Sequence, residues 1–165
     1  MRELLDAGSN PSVKMLSGDE ATTLYLAIQS GDVQTVEVVL SSDKVDVDVE
    51  LKGGITPLLS AIDRNRLDLL VALLAKGADP NKGVGGGGGV MQHPLLFAVV
   101  KGRHLIVKEL LRKGASCGIV IGNSRGDRES LLDFTRTRRD FDTMQVLSSF
   151  KECTEAFEDE NIIPN

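Results

Sequence analysis

The stretch Gly54-Ile55-Thr56-Pro57-Leu58-Leu59-Ser60-Ala61-Ile62, followed by Leu67-Asp68-Leu69-Leu70-Val71-Ala72-Leu73-Leu74-Ala75-Lys76-Gly77-Ala78-Asp79-Pro80-Asn81, decides the fold. Thr56 is a residue type that caps a helix, and Pro57 fits the first helical position, where a missing N–H costs nothing. Leu58, Ala61 and Ile62 then share one face by i, i+3, i+4 spacing. The second run carries Leu69, Leu70, Leu73 and Leu74 as a broad apolar stripe, and Gly77 supplies the left-handed residue that commonly ends a helix. The pattern predicts two short antiparallel helices, the first too short to be stable alone.

The same pattern recurs. Upstream stands Thr22-Thr23-Leu24-Tyr25-Leu26-Ala27-Ile28 with Gly31-Asp32-Val33-Gln34-Thr35-Val36-Glu37-Val38-Val39-Leu40. Downstream stands His93-Pro94-Leu95-Leu96-Phe97-Ala98-Val99 with Gly102-Arg103-His104-Leu105-Ile106-Val107-Lys108-Glu109-Leu110-Leu111-Arg112-Lys113-Gly114-Ala115. A weaker copy joins Ser130-Leu131-Leu132-Asp133-Phe134 to residues 140–147. From Thr22 to Thr56, His93 and Ser130 the spacings are 34, 37 and 37 residues. Ala27, Ala61 and Ala98 occupy one repeat position, where a small side chain lets helices approach. No unit can bury both its faces, so the units must stack. The expectation is an all-α repeat solenoid, a single domain over residues 1–150, with units at about 20–50, 54–88, 91–124 and 128–150 and a partial unit over 1–16. Residues 151–165 read as a short helix continuation and then an acidic tail.

At these residues the chain resembles the ankyrin-repeat family. Thr56-Pro57-Leu58 follows the family's T-P-L-H start, and residues 73–81 follow its L-L-x-x-G-A-D-x-N end. The likeness covers residues 22 to about 148, with a remnant of a further unit at Leu4-Leu5-Asp6-Ala7-Gly8-Ser9-Asn10-Pro11. The family histidine is replaced by Tyr25, Leu59, Leu96 and Asp133. The resemblance implies a non-catalytic protein-interaction module or adaptor. By family position its partner-binding residues are Gln29, Ser30, Asp63, Arg64, Val100, Lys101, Thr137 and Arg138 on the concave side, with Ile55, Met91 and Gln92 at the connector tips.

Composition bounds the alternatives. The chain has 165 residues, 41% of them hydrophobic and 26% charged, which is ordinary for a folded domain and too apolar for disorder. A net charge of −5 speaks against nucleic acid as partner. The uncharged stretch from Gly83 to Val100 is broken by glycines and Pro94, so no membrane span is expected. Met1-Arg2-Glu3-Leu4-Leu5-Asp6 lacks the apolar core of a signal peptide. Cys117 and Cys153 cannot staple a small scaffold and read as reduced thiols of a cytosolic or nuclear protein. The truncated first unit predicts an exposed apolar strip at Leu4 and Leu5, suited to self-association or to cover by upstream sequence.

The connectors are long. Residues 81–92 contain Gly83-Val84-Gly85-Gly86-Gly87-Gly88-Gly89, predicted to be the most mobile internal segment. Residues 116–129 hold the apolar patch Ile119-Val120-Ile121 and predict a longer hairpin. Gly83-x-Gly85-x-x-Gly88 formally matches a dinucleotide fingerprint, but no buried strand precedes it and no helix follows directly, so a nucleotide-binding enzyme is the remote alternative. His93 stands where the capping threonine would be, and His104 at the start of a second helix. Neither shares ligand spacing with a cysteine or carboxylate, so no metal and no cofactor is expected. Cys117 lacks an identifiable base, and no enzyme is expected.

Charge is segregated along the chain. Residues 1–93 carry 8 Lys/Arg and 13 Asp/Glu, residues 94–140 carry 10 and 5, and residues 141–165 carry 1 and 6. Just before the inter-helix glycine position stand Ser30, Arg64, Lys101 and Arg138, a row of cations at one height in three successive units. Such a strip suits an acidic peptide segment of a protein partner better than duplex nucleic acid. It would equally complement the C-terminal ends of the first helices. The acidic residues of 152–160 carry the opposite sign and are expected to compete weakly for the nearest cations. The first alternative to an adaptor is a regulatory fragment of a larger channel, kinase or effector.

Overall fold

The computed structural model describes residues 23–43, 45–50, 55–83, 93–122 and 128–155. Nine helices fall within these residues: α1 (Thr23–Ser30), α2 (Val33–Leu40), α3 (Pro57–Asp63), α4 (Leu67–Ala75), α5 (Pro94–Val100), α6 (His104–Arg112), α7 (Leu131–Thr137), α8 (Phe141–Ser148) and α9 (Lys151–Glu155). Each unit is one helix pair. The first helices α1, α3, α5 and α7 pack in sequence as one layer, and the second helices α2, α4, α6 and α8 as another. This is the all-α solenoid that the repeat predicts.

The starts of the first helices follow the sequence logic. Thr56 Oγ1 accepts from Leu59 N at 3.2 Å, with Pro57 at the first helical position. Ser130 Oγ accepts from Asp133 N at 3.0 Å. His93 takes the same place before α5 without a side-chain capping bond. Among second helices, the Asp32 carboxylate accepts from Gln34 N and Thr35 N, and from the Thr35 hydroxyl.

The ends of α3, α4, α5, α6 and α7 use one device. Arg66 N donates to Ala61 O at 3.0 Å, Arg103 N to Ala98 O at 2.9 Å and Asp140 N to Thr135 O at 3.0 Å. Each closes a Schellman turn whose pivot must have positive φ. The pivots are Asn65, Gly102 and Arg139, with φ of 55°, 65° and 58°; Gly31 takes the same repeat position after α1 at φ 73°, where Asp32 N donates to Ser30 Oγ instead. Gly77 and Gly114 repeat the device after α4 and α6, at φ 101° and 86°.

Stacking buries the stripes. Ala27, Ala61 and Ala98 are buried with Ile28, Ile62 and Val99 beside them, and Leu69, Leu70, Leu73, Ile106, Val107 and Leu110 fill the space between layers. At the alanine position the last unit carries buried Thr135. Its remaining fully packed apolar residues are few, Leu131 and Leu147 among them, and α9 packs on α7 and α8.

Polar side chains tie unit to unit. Arg66 Nη1 donates to Gly31 O at 2.8 Å. Asp79 N donates to the Asp48 carboxylate at 3.1 Å, and Lys82 Nζ to Asp48 O at 2.7 Å. Asn81 Nδ2 donates to Gly114 O at 3.0 Å while its Oδ1 accepts from Ser116 N at 2.7 Å. The connector after α6 forms the expected hairpin: β1 (Ile121–Gly122) pairs antiparallel with β2 (Arg128–Glu129), Ile121 opposite Glu129.

One expectation is corrected. Cys117 and Cys153 are joined in a disulfide, with Cα atoms 5.0 Å apart, and no free cysteine remains. Their sequence separation of 36 is one residue short of the 37-residue spacing of the last units, so stacking sets them side by side. Read singly, neither cysteine showed this. The argument from reduced thiols to a cytosolic or nuclear compartment goes with it. Leu4 and Leu5, residues 84–92 with most of the glycine run, and the acidic residues from 156 onward lie outside the described residues.

Candidate protein-interaction surface

The first-helix layer presents its free side through two positions four residues apart. The earlier position carries exposed Leu26, half-buried Phe97 and Phe134, and buried Ser60, and the later carries Ser30, Arg64, Lys101 and Arg138. Every member of the later set is exposed. Arg64, Lys101 and Arg138 are the C-cap residues of α3, α5 and α7, where a cation meets the negative end of the helix dipole. Their side chains therefore stand at one height along the stack.

The three cations are held differently. Lys101 Nζ lies 2.7 Å from Asp63 Oδ1, an ion pair that crosses from the second unit to the third. It also sits over the Phe97 ring, 5.2 Å from the centroid. The Arg138 guanidinium sits over Phe134 at the same 5.2 Å. Among the described residues Arg64 and Arg138 have no ion pair. Phe97 and Phe134 escaped the reading of the sequence. The signal was present in their i−4 spacing from a cation at two equivalent repeat positions.

Of the remaining sequence-selected residues, Gln29 and Val100 are half-buried, while Asp63 and Thr137 are exposed one position before the cations. Thr137 Oγ1 donates to Glu129 at 3.0 Å and so touches the hairpin. Ile55 is exposed at a connector tip, whereas Met91 and Gln92 lie outside the described residues. The structure thus brings Asp63 and Lys101 into contact and places Arg64, Lys101 and Arg138 at equivalent helix ends.

Two arginines close to the row in sequence are already paired. Arg66 is taken up by Gly31 O and by Asp68 at 2.8 Å, and Arg136 by Asp133 at 3.1 Å. The Arg66 hydrogen bond holds the Asp68 carboxyl below the ordinary carboxylate range. The Thr35 hydroxyl does the same for Asp32. Burial pushes Asp48 the other way, against the backbone bond from Asp79 and the charge of Lys82. Among the described residues no group of histidine, cysteine and carboxylate side chains has the arrangement of a metal site. No helix among them is long and apolar enough to cross a membrane.

The fold is a stack of helix pairs, and what it displays is a ladder of side chains from equivalent positions; these define a repeat-solenoid class of protein. A sequence model of the ankyrin repeats, in three copies, matches residues 1–83, half of the chain. The chain belongs to the ankyrin-repeat family, whose arrays are protein-interaction modules. It is 28% identical over 152 residues to the B-cell lymphoma 3 protein homolog of Mus musculus, covering 90% of this chain and 32% of that protein. It is 43% identical over 61 residues to the putative ankyrin repeat protein FPV240 of Fowlpox virus (strain NVSL), 37% of this chain and 15% of that one. It is 32% identical over 79 residues to the transient receptor potential cation channel subfamily A member 1 of Homo sapiens, 48% of this chain and 7% of that one. The chain thus spans a third or less of the curated relatives it matches.

Proposed function

We propose that this chain is a non-catalytic adaptor that binds an acidic segment of a protein partner along the free side of its first-helix layer. The observation that carries this is the row Arg64, Lys101 and Arg138, exposed at one repeat position, with two members lacking an ion pair among the described residues. The contact set is Gln29, Ser30, Asp63, Arg64, Val100, Lys101, Thr137 and Arg138, with Ile55, Met91 and Gln92 reached by a partner that extends over the connector tips. Phe97 and Phe134 complete it as apolar ground beneath the cations. Each exposed ion pair is worth only about 0.2–1 kcal/mol, so apolar contact must supply much of the affinity.

The test is titration of an acidic peptide into wild type and into Arg64→Ala/Lys101→Ala/Arg138→Ala, at low and high salt. Binding that weakens in the variant and in salt is expected. Equal affinity for both proteins, or no salt dependence, overturns the assignment. A second reading, a regulatory array inside a larger protein, draws on the likeness to a stretch that is only 7% of a cation channel. Immunoblotting the endogenous protein for its size decides it.

A further inference from the structure

We infer that the row reads its acidic partner in register: the partner lies as a polyproline-II segment with a carboxylate at every third residue, and Asp63 acts as a built-in competitor for the central cation. This rests on the proposed binding of an acidic segment to the same face.

The register follows from the stack. Arg64, Lys101 and Arg138 close successive first helices that pack on one another, and packed helices lie about 8–10 Å apart. An extended ligand must repeat its charge at that interval with all charges on one side. A β-strand fails, because its side chains alternate faces and same-side positions recur about every 7 Å. A polyproline-II helix rises about 3.1 Å per residue with three residues per turn, so positions i, i+3 and i+6 share a face at about 9 Å intervals. Such a segment also arrives with little conformational entropy left to lose. On the protein side, Phe97 and Phe134 lie beneath the Lys101 and Arg138 head groups at the same 5.2 Å, which fixes two of the three cations at equivalent places.

The competitor is visible directly. Asp63 Oδ1 stands 2.7 Å from Lys101 Nζ, and Lys101 is its one described partner. A ligand carboxylate that takes Lys101 must displace Asp63 and then lie beside it. The ion pair therefore lowers affinity for every acidic ligand and penalises those that cannot also engage Arg64 and Arg138.

Fluorescence anisotropy with labelled, proline-containing peptides of one composition tests both halves. Three glutamates stand either at i, i+3, i+6 or at i, i+2, i+4. The first peptide is expected to bind about fivefold tighter, the scale of one well-placed exposed ion pair. Asp63→Asn should tighten it further by about two- to fivefold, whereas Asp142→Asn, the same charge change at an exposed position of α8, should leave it unchanged. Thermal melts establish that each variant is folded. Equal affinity of the two peptides overturns the register, and Asp63→Asn with unchanged or weaker binding overturns the competitor. Both outcomes leave the acidic-segment assignment standing if Arg64→Ala/Lys101→Ala/Arg138→Ala still weakens binding. Peptides that bind that triple variant as well as wild type sink the assignment and this inference together.

Discussion

Arg139 and Asn65 occupy the pivot that the other two units give to glycine, and they adopt positive φ with a side chain attached. An L-residue there costs about 1–2 kcal/mol relative to its usual regions, less for asparagine. Arg139→Gly is therefore expected to raise stability by about 1 kcal/mol, and Asn65→Gly by less, since glycine is looser in the unfolded chain. Urea unfolding measures both, and a loss of stability in both variants would contradict the strain assigned to this turn. Gly114 gives the converse case. A Cβ there meets nothing within 4 Å, yet φ is 86°. Gly114→Ala is expected to lose about 1 kcal/mol from backbone conformation alone, without a clash. The glycine pattern was legible in the sequence, because Gly31, Gly102, Gly77 and Gly114 mark both turns of the repeat. The φ of Arg139 was not, because an arginine there carries no signature and only the neighbouring units impose the turn.

At the scale of the helix, the caps divide into satisfied and unsatisfied ones. Thr56 and Ser130 accept backbone N–H groups, while His93 before α5 does not. His93→Thr is expected to gain about 1 kcal/mol, and Thr56→Ala to lose about the same. Thermal unfolding of the two variants checks the pair. Thr56 and Pro57 announced the start of α3 unaided, and the weaker last copy announced α7 and α8 through Ser130 and Asp140. The sequence failed at side-chain partners. Arg66 stands two residues from Arg64 and looks as available on paper, yet the structure commits it to Gly31 O and Asp68. Which cation is free depends on what the next unit presents, and a one-dimensional reading has no access to that. The same pairing sets the acid response. The Arg66 hydrogen bond on Asp68 and the Thr35 hydrogen bond on Asp32 hold both folded carboxyls below the ordinary aspartate value. Their contribution is complete above that value and drains as pH falls through the lower folded values. Asp48 is raised, so it favours the folded state when protonated and weighs against it as pH rises through its folded value. Asp68→Asn is expected to flatten the acid limb of a stability–pH curve. An unchanged limb would place the acid sensitivity elsewhere.

Across the whole molecule, stability runs from a dense middle to a thin end. Leu69, Leu70 and Leu73 of α4 are fully buried between neighbours on both sides. Leu70→Ala should lose about 2–5 kcal/mol by opening a cavity that flanking units cannot close. The last unit has less apolar surface to offer, with Thr135 and Thr143 among its buried positions. In a stack where each unit leans only on its neighbours, such an end opens first. Amide exchange should accordingly be fastest in α7 to α9 among the described helices. The two-helix design of the described units was readable from spacings of 34 and 37. The covalent link across the last unit was not, because a pair of cysteines one period apart becomes a pair only after the units are stacked.

That link has a mechanical side. With Cys117 bonded to Cys153, a pull on the C-terminal end is transmitted from α9 directly to the connector behind α6, and α7 and α8 hang slack in a closed loop. The least robust unit is thus the one that carries no load. Stretched between its ends, the oxidised protein gives its first yield in the third unit, and withholds the 36 residues of the loop from its final length, about 125 Å at full extension. Adding dithiothreitol in an optical trap should return that length and move the first yield to the last unit. The same first yield with and without reductant would show that tension never reaches the connector through the sulfur bridge.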